Sequence, residues 1–596
     1  MKPARLEALI VIVCLSFFGA MCMLSARGQS LTMDETVYMS VGTFMVEKHV
    51  FDYNPEQPPV PKLLAGLANI GVKKSIPKPF EVGQFLRENR DNLQRMAMRA
   101  RAMIAMLGVI ACLFVYLFSR RLFGRAGGLF SLACCCLCPN LLANAGLITG
   151  DLPAACFCAG TLFFVARLWE RFRWIDMIAA AALFAAGMGS KFTLVLVPVV
   201  MPLFGMMAGS DGRETENATT EGSAGRASRS WIGLRLCGFS RGLCLAALLV
   251  LGSLPFIWML YGCEIGTVSR AIEEPEVKAL IRDLASSKAG LAATLAGQVL
   301  AAGSFHIPSP SFISGLLKTF AIRGDMPAYL AGRISYTGWW YYYLAVIALK
   351  TPIAFLAVWI AALLSAVLRR PRLKDPEILC LCFALLMTVV MSASPKQLGL
   401  RYVLPIYPLL FVISGRVLSR PSTEGSGASG VRWSKKAAAA VVLIWGLGTN
   451  LSAFPHYLTY LNEYAGDRKL GVLWVADSNL DWGQDLIGLK RYMDRAKIPS
   501  VKFSYFGNVN PEYYGVNYEY LYSPSFVRKR EADLFPRCLP VDGYVAISAT
   551  NLAGEFIDPH DCYAWVRKYE PIEVVGNTIF VYYIPPQKPG AGKVGG

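Results

Sequence analysis

The sequence predicts an α-helical multi-pass membrane protein of the order of 11 transmembrane helices, with a small C-terminal extracytoplasmic α/β domain. Three observations predict this class. The chain of 596 residues is 54% hydrophobic and has a mean hydropathy of +0.42, which is too apolar for a soluble protein of this length. Apolar segments of membrane-spanning length recur along it. After residue 453 the composition changes to that of a soluble domain.

The apolar segments have roughly 16 to 25 residues each, about the length that crosses a bilayer. The weakest of them are 152–167 and 174–189. The full set lies near 7–25, 102–119, 127–146, 152–167, 174–189, 192–208, 242–261, 339–367, 377–393, 402–418 and 437–453.

The positions of the charges predict the orientation. The chain has 59 Lys and Arg residues against 41 Asp and Glu residues, a net charge of +18. Lys2 and Arg5 precede the first apolar segment, so the positive-inside rule places the N-terminus in the cytoplasm. Alternation of the spans then places a basic cluster in each predicted cytoplasmic loop, whereas the short outside turns hold only Lys191, Lys396 and Arg401. Because topology explains the basic excess, no nucleic-acid partner is expected.

The same alternation predicts two domains. Residues 1–453 form a transmembrane domain, and residues 454–596 form a soluble domain outside the membrane. Within the first domain, the loops 27–100 and 262–338 are expected outside, and the polar loop 209–241 is expected in the cytoplasm. The first apolar segment also resembles a signal peptide, but its apolar run is longer than a usual signal core, and we expect a retained helix.

The C-terminal region has the alternating pattern of a small α/β domain. Residues 471–507 read as strand, loop, helix and strand, with the helix beginning at Asp485. The later apolar runs predict further strands, with one hairpin at Gly576 and Asn577. Cys538 and Cys562 lie in this region and can form a disulfide if the compartment is oxidising.

The first outside loop carries residues with the chemistry of a site. Asp34 and Glu35 form a carboxylate pair just beyond the first helix, and Lys62 follows the rigid step of Pro58 and Pro59. A carboxylate can serve as a general base, and an ammonium group can bind a phosphate. Taken alone, the Asp-Glu pair fits solvated loop charge equally well.

Together, the acidic pair and the downstream PP-x-x-K resemble the first extracytoplasmic loop of lipid-linked-sugar glycosyltransferases of the C-type (GT-C) fold. This family includes the protein O-mannosyltransferases and the aminoarabinose transferases of lipid A. The phrases GRISYTGWWYYY and DSNLDWGQDL are similar to blocks in its bacterial, carrier-lipid-dependent members. The chain departs from the family at Gln57, where histidine is common. The resemblance implies transfer of a sugar from a polyprenyl phosphate carrier to an acceptor hydroxyl outside the membrane, with inversion.

The resemblance also implies the site residues. Asp34 is expected to be the general base, Glu35 to support it or orient the acceptor, and Asp151 to be a second acidic site residue. The donor phosphate is expected to meet four basic residues, Lys62, Arg101, Lys191 and Arg401.

Plainer roles compete for three of these residues. Asp151 also fits a helix cap before Pro153, Lys191 a cation that snorkels to the interface, and Arg401 an interfacial anchor. The acids of the phrase DSNLDWGQDL fit loop caps as well as ligands, and they are left outside the expected catalytic set.

The expected partners are a polyprenyl phosphate sugar of the undecaprenyl or dolichyl type, an acceptor protein, lipid or glycan, and membrane lipids. No metal ligands are predicted and no cofactor is certain; a divalent cation is possible and would neutralise the phosphate. The expected location is the inner cell membrane. A polyprenyl-lipid flippase or transporter and a non-catalytic membrane scaffold remain the alternative functions.

Overall fold

The structure is a computed structural model. Most of the predicted cytoplasmic loop, the basic stretch 369–374 and residues 420–427, which include Arg420, lie outside the described residues. Part of the predicted outside loop 262–338 does as well. The structure describes residues 3–208, 231–286, 294, 297–299, 301, 303–321, 326–368, 375–419, 428–524 and 538–586.

The described chain is mainly helical. Its α-helices are α1 (Pro3–Ala26), α2 (Met33–Lys48), α3 (Pro59–Ala68), α4 (Val82–Glu88), α5 (Leu93–Cys136), α6 (Pro139–Ala145), α7 (Asp151–Glu170), α8 (Trp174–Met188), α9 (Leu196–Ala208), α10 (Trp231–Leu260), α11 (Val268–Ala271), α12 (Pro275–Ser286), α13 (Pro310–Ala321), α14 (Tyr342–Lys350), α15 (Ile353–Leu368), α16 (Asp375–Ser392), α17 (Ile406–Ser414), α18 (Ala428–Ala453), α19 (Leu486–Ala496) and α20 (Ala549–Ala553).

Apolar helices confirm the predicted integral membrane protein. In the described part of the chain, five helices are long and apolar enough to cross a membrane, and five more apolar helices have 10–17 residues. All the predicted segments overlap these helices or the shorter α6 and α14. Gly124, at φ 77°, separates the second and third segments within α5. The number of spans stays a prediction.

Helices α1 and α5 run antiparallel, and their ends mark two faces of the membrane domain. At one end, Tyr116 Oη and Arg120 Nε donate to Glu7 Oε1 at 2.6 and 2.7 Å. At the other end, Arg101 Nη1 donates to the carbonyl of Ala26 at 2.9 Å. The candidate site lies at this second end, which is the end that the alternation of spans predicts to be outside.

The C-terminal region contains a mixed five-stranded sheet, in the order β6 (Tyr518–Tyr520), β5 (Val501–Ser504), β7 (Gly543–Ser548), β9 (Ile579–Ile584) and β8 (Glu573–Val575). Strand β5 pairs parallel with β6 and β7, and β9 pairs antiparallel with β7 and β8. The described strands are β1 (Ile265–Thr267), β2 (His306–Pro308), β3 (Ala328–Leu330), β4 (Arg333–Ser335), β5 (Val501–Ser504), β6 (Tyr518–Tyr520), β7 (Gly543–Ser548), β8 (Glu573–Val575) and β9 (Ile579–Ile584).

The predicted helix, the second strand of 471–507 and the hairpin at Gly576 are confirmed. The strand predicted at the start of 471–507 is wrong, because residues Arg468–Leu473 form a 3₁₀ helix instead. Asp467 begins this helix by accepting a hydrogen bond from the backbone N–H of Lys469 at 3.0 Å. Cys538 and Cys562 are joined in a disulfide.

The C-terminal region shares a hydrophobic core with the membrane helices. Phe18 of α1, Tyr407 of α17, Leu480 and Ile547 of β7 are buried in the same core. The region after residue 453 therefore packs against the membrane helices, although its composition differs from theirs. This close packing is what allows the C-terminal region to reach the candidate site.

Candidate active site

The first turn of α2 directs two adjacent carboxylates to different environments. Glu35 Oε2 accepts hydrogen bonds from the backbone N–H and the hydroxyl of Thr32, at 2.9 and 3.1 Å. Successive residues of an α-helix point about 100° apart around its axis. Consequently the side chain of Glu35 is fully buried, whereas that of Asp34 is 22% exposed.

Arg101 binds Glu35 in a buried, bidentate ion pair. Its Nε and Nη2 donate to Glu35 Oε1 and Oε2 at 2.8 and 2.7 Å. An arginine has five N–H donors, and here each has a protein acceptor. The three others donate to the carbonyls of Ala26, Gln29 and Ser30 at 2.9, 2.9 and 2.8 Å. Arg101 therefore has no N–H left for the phosphate oxygen that the sequence analysis assigned to it.

Four of the expected site residues meet in one group. Arg401 Nη1 donates to Asp34 Oδ2 at 2.7 Å and lies 3.9 Å from Asp151 Oδ2. Lys191 Nζ donates to Asp151 Oδ1. Two carboxylates and two cations thus alternate as Asp34, Arg401, Asp151 and Lys191. We refer to these four residues as the ion-pair chain.

Three residues of the ion-pair chain lie in or next to short turns between helices. Asp151 is the first residue of α7, Lys191 follows the end of α8, and Arg401 lies in a 3₁₀ turn before α17. Gly150 lets two of these turns touch, since a Cβ atom there would lie 2.3 Å from the carbonyl oxygen of Ser190. The site is therefore built where several membrane helices end on the same face.

Aromatic rings cover the two cations. The centroid of the Trp482 ring lies 4.1 Å from Arg401 Cζ, and the centroid of the Tyr402 ring lies 4.1 Å from Lys191 Nζ. Such stacking holds a cation without consuming its N–H donors. Arg401 Nε is buried and has no hydrogen-bond partner among the described residues. The guanidinium thus retains donor capacity for a ligand.

Asp477 and Trp482 belong to this site, and the sequence analysis left both out. Asp477 is buried, at φ 49°, and its charge interacts with those of Arg401 and Asp34. Burial raises the pKa of Asp477, and the charge of Arg401 opposes that shift. Burial lowers the pKa of Lys191, against the opposing charge of Asp151. The phrase DSNLDWGQDL was the one signal that could have identified them.

Lys62 makes separate contacts in the first loop. Its Nζ donates to the carbonyls of Tyr53 and Asn54 at 3.2 and 2.6 Å, and the residue is 1% exposed. Burial lowers the pKa of Lys62 to about 7, with the charge of Glu56 opposing the shift. In the described part of the chain, Lys62 shares no hydrogen bond or ion pair with the ion-pair chain.

The carboxylates of the ion-pair chain are already paired with cations of the protein. Among the described residues, no group of three or more His, Cys, Asp or Glu side chains is placed to hold a metal ion. The carboxylates of Asp34 and Asp151 already face Arg401 and Lys191. These carboxylates are therefore neutralised by the protein's own cations.

Comparison with solved structures finds distant likenesses. ArnT from Cupriavidus metallidurans in the apo state is 12% identical with a TM-score of 0.48, covering 98% of this chain and 100% of that chain. The S. cerevisiae Pmt1-Pmt2 complex bound to the sugar donor is 11% identical with a TM-score of 0.45, covering 76% and 90%. The apo oligosaccharyltransferase of Archaeoglobus fulgidus is 14% identical with a TM-score of 0.40, covering 74% and 56%. Likenesses of this size carry no argument here.

A family model gives the more specific finding. Comparison with curated proteins finds no match. Residues 94–220, which include Arg101, Asp151 and Lys191, match the model of the dolichyl-phosphate-mannose-protein mannosyltransferases. For this segment, the match confirms the predicted resemblance and the predicted class of enzyme, a membrane glycosyltransferase.

Proposed function

We propose that this protein transfers a sugar from a polyprenyl phosphate carrier to an acceptor hydroxyl on the extracytoplasmic face of the membrane. The observation that carries the proposal is the 2.7 Å contact between Asp34 and Arg401, because it joins a partly exposed carboxylate to a cation with free donors. The family match over residues 94–220 supports the donor class. The acceptor class, whether protein, lipid or glycan, is left open.

Arg401 and Lys191 are the proposed ligands of the donor phosphate. A phosphate that enters the site competes with the carboxylates of Asp34 and Asp151 for these cations. Arginine suits this exchange because its planar guanidinium can bind two phosphate oxygens at once. The exchange also releases Asp34 from its ion pair, so that the carboxylate becomes available as the carrier binds.

Asp34 is the proposed general base. As the acceptor oxygen attacks the anomeric carbon, its proton passes to Asp34 and the bond from that carbon to the phosphate oxygen breaks. The departing polyprenyl phosphate carries the electron pair of the broken bond, and Arg401 and Lys191 stabilise its charge. Direct attack of this kind inverts the anomeric centre.

The other expected site residues have supporting roles in this proposal. Glu35 and Arg101 hold the turn before α2 in place, since both are fully engaged by the protein. Asp151 orients Lys191. Lys62 stays a candidate phosphate ligand, because an ammonium has three N–H groups and the two carbonyls in contact with it take two.

The proposed location is the inner cell membrane, with the N-terminus in the cytoplasm and the C-terminal region outside. The basic residues before the first apolar segment support this orientation. The disulfide between Cys538 and Cys562 supports it independently, since disulfides persist in oxidising compartments.

Transfer by purified protein in detergent tests the proposal. Synthetic polyprenyl phosphate sugars are supplied with simple acceptors or water, and donor loss and product are followed for wild type and Asp34→Asn. We expect wild type to consume at least one donor and Asp34→Asn to be slower by about 100-fold or more, the scale of general-base catalysis. Asp91→Asn is the matched control, because the Asp91 side chain in the same loop is 92% exposed. Binding of polyprenyl phosphate without any donor consumption by wild type would favour the flippase instead.

A further inference from the structure

The segment that carries Asp34 is hydrogen-bonded to the C-terminal region. The backbone N–H of Ser30 donates to the carbonyl of Gln484 at 2.8 Å, and its hydroxyl donates to the carbonyl of Gly483 at 2.9 Å. The backbone N–H of Met33 donates to the carbonyl of Trp482 at 3.0 Å. The residues that lead into α2 are therefore fixed to residues 482–484.

The turn that carries Arg401 is held by the same stretch of chain. The amide oxygen of Asn479 accepts a hydrogen bond from the backbone N–H of Leu400 at 2.9 Å. Gly399 lies at φ 112°, and a Cβ atom there would come 2.7 Å from Ser478 Oγ. This turn can therefore sit against residues 478–479 because position 399 has no side chain.

Trp482 contacts both Met33, which precedes Asp34, and the guanidinium of Arg401. Its backbone carbonyl accepts from Met33, the residue before Asp34, and its ring stacks on the Arg401 guanidinium. The side chain is almost completely buried, with 2% exposed. One residue of the C-terminal region thus touches the chain next to the carboxylate and the cation itself.

Side-chain hydrogen bonds connect residues within residues 477–486 and join them to Thr550. Asp481 Oδ1 accepts from the backbone N–H of Gly483 at 3.2 Å, and Asp481 Oδ2 accepts from that of Thr550 at 3.1 Å. Gln484 Oε1 accepts from the backbone N–H of Trp482 at 2.7 Å. These hydrogen bonds hold the backbone of residues 481–484 in one conformation. That conformation positions the two turns that the stretch contacts.

We propose that residues 477–486, the clamp segment, position Asp34 against Arg401 and make the C-terminal region an integral part of the active site. Trp482 and Asn479 are positioning residues, because they act through Arg401 and its turn. In this proposal, neither Trp482 nor Asn479 contacts the reacting atoms. This role rests on the proposed function of the same site. It gives the C-terminal region a part in that function, which is to hold Asp34 and Arg401 in contact.

A double-mutant cycle between Trp482 and Arg401, measured as sugar transfer by the purified full-length protein, tests this role. We expect Trp482→Leu to lower kcat about tenfold in otherwise wild-type protein, the scale of a desolvated cation–π contact. In a protein that already carries Arg401→Gln, which leaves no cation to stack on the ring, the same change should cost less than about twofold, because coupled residues are not additive. Trp482→Phe keeps an aromatic face and should restore most of the rate.

Trp474→Leu is the matched control. Trp474 lies just before the clamp segment, and its Nε1 donates to the carbonyl of Ala465 at 3.0 Å. We expect this variant to transfer sugar at the wild-type rate. If Trp482→Leu does not yield monodisperse protein, the cycle is run with Asn479→Ser, which withdraws the amide acceptor of the Leu400 N–H, with the same expectation.

Equal losses in both backgrounds, or no loss on changing Trp482, would overturn the positioning role, because the effect would not pass through Arg401. Binding of polyprenyl phosphate, followed by thermal shift, separates this failure from that of the proposed function. Wild-type protein that neither transfers sugar nor binds polyprenyl phosphate would remove both. Wild-type transfer with additive losses would remove the clamp alone.

Discussion

Asp34 and Glu35 are neighbours in the chain, but their carboxylates bind different arginines in different surroundings. Asp34 contacts Arg401 at 2.7 Å and is 22% exposed, whereas Glu35 contacts Arg101 at 2.7 Å and is completely buried. The difference follows from their positions in the first turn of α2. One carboxylate can therefore exchange its partner for a ligand, and the other anchors the turn from which both project.

Glu35→Gln is expected to destabilise the protein. Removing one partner of a buried ion pair leaves the other charge uncompensated, which costs about 3 kcal/mol or more. A thermal melt of purified Glu35→Gln should show a clear fall in Tm, whereas Asp34→Asn should melt close to wild type. An unchanged Tm for Glu35→Gln would contradict the anchoring role of Glu35 and Arg101.

Arg401→Lys is expected to weaken donor binding. The change keeps the charge but loses the planar fork, so the donor KM should rise about tenfold, the worth of one charge-assisted hydrogen bond. The KM is measured with a donor that wild type consumes. Arg333→Lys, at an exposed position of β4, should leave KM unchanged. A wild-type KM for Arg401→Lys would exclude a bidentate phosphate contact.

If Lys62 is a phosphate ligand, we expect the donor affinity to depend on pH. Its pKa of about 7 means that the ammonium is charged below that pH and is lost as the pH rises through it. If Lys62 binds the phosphate, the donor KM should rise by up to about tenfold per pH unit above pH 7. Lys62→Arg, which stays charged, should flatten this rise. The same pH profile in both proteins would remove Lys62 from the phosphate site.

Two exposed cysteines test the orientation. Cys237 and Cys263 lie near opposite ends of α10 and are both exposed. A membrane-impermeant maleimide added to intact spheroplasts should label Cys263, and should label Cys237 only after the membrane is permeabilised. Cys263→Ser and Cys237→Ser identify each product. Labelling of Cys237 in intact spheroplasts with Cys263 protected would reverse the proposed orientation.

Local composition was enough to predict the apolar helices, the helix Leu486–Ala496 and several strands. Hydropathy located the apolar helices because a membrane helix needs a long apolar run whatever its neighbours are. The hairpin at Gly576 was predictable for a similar reason, since the turn signal and its flanking strands are adjacent in sequence. The 3₁₀ helix at Arg468–Leu473 was missed because its apolar residues mimic a strand, and its start depends on one cap at Asp467.

The site was harder to predict from the sequence, because its residues are far apart along the chain. Asp34 and Arg401 are 367 residues apart, and the family resemblance was what placed both among the expected site residues. The sequence could not predict that all N–H groups of Arg101 are occupied. Three of them donate to backbone carbonyls at the end of α1 and just after it. Trp482 lies in the phrase DSNLDWGQDL, but nothing in that phrase indicates which residue its ring stacks on, because Arg401 is distant in the sequence.

The most direct measurement compares binding and turnover in one preparation of Asp34→Asn. Removing the carboxylate charge frees Arg401 from its ion pair while it deletes the proposed base. We therefore expect this variant to bind polyprenyl phosphate at least as tightly as wild type and to transfer sugar about 100-fold more slowly, or slower still, from a donor that wild type consumes. Transfer at the wild-type rate by Asp34→Asn would contradict the assignment of Asp34 as the base and, with it, the account of the ion-pair chain.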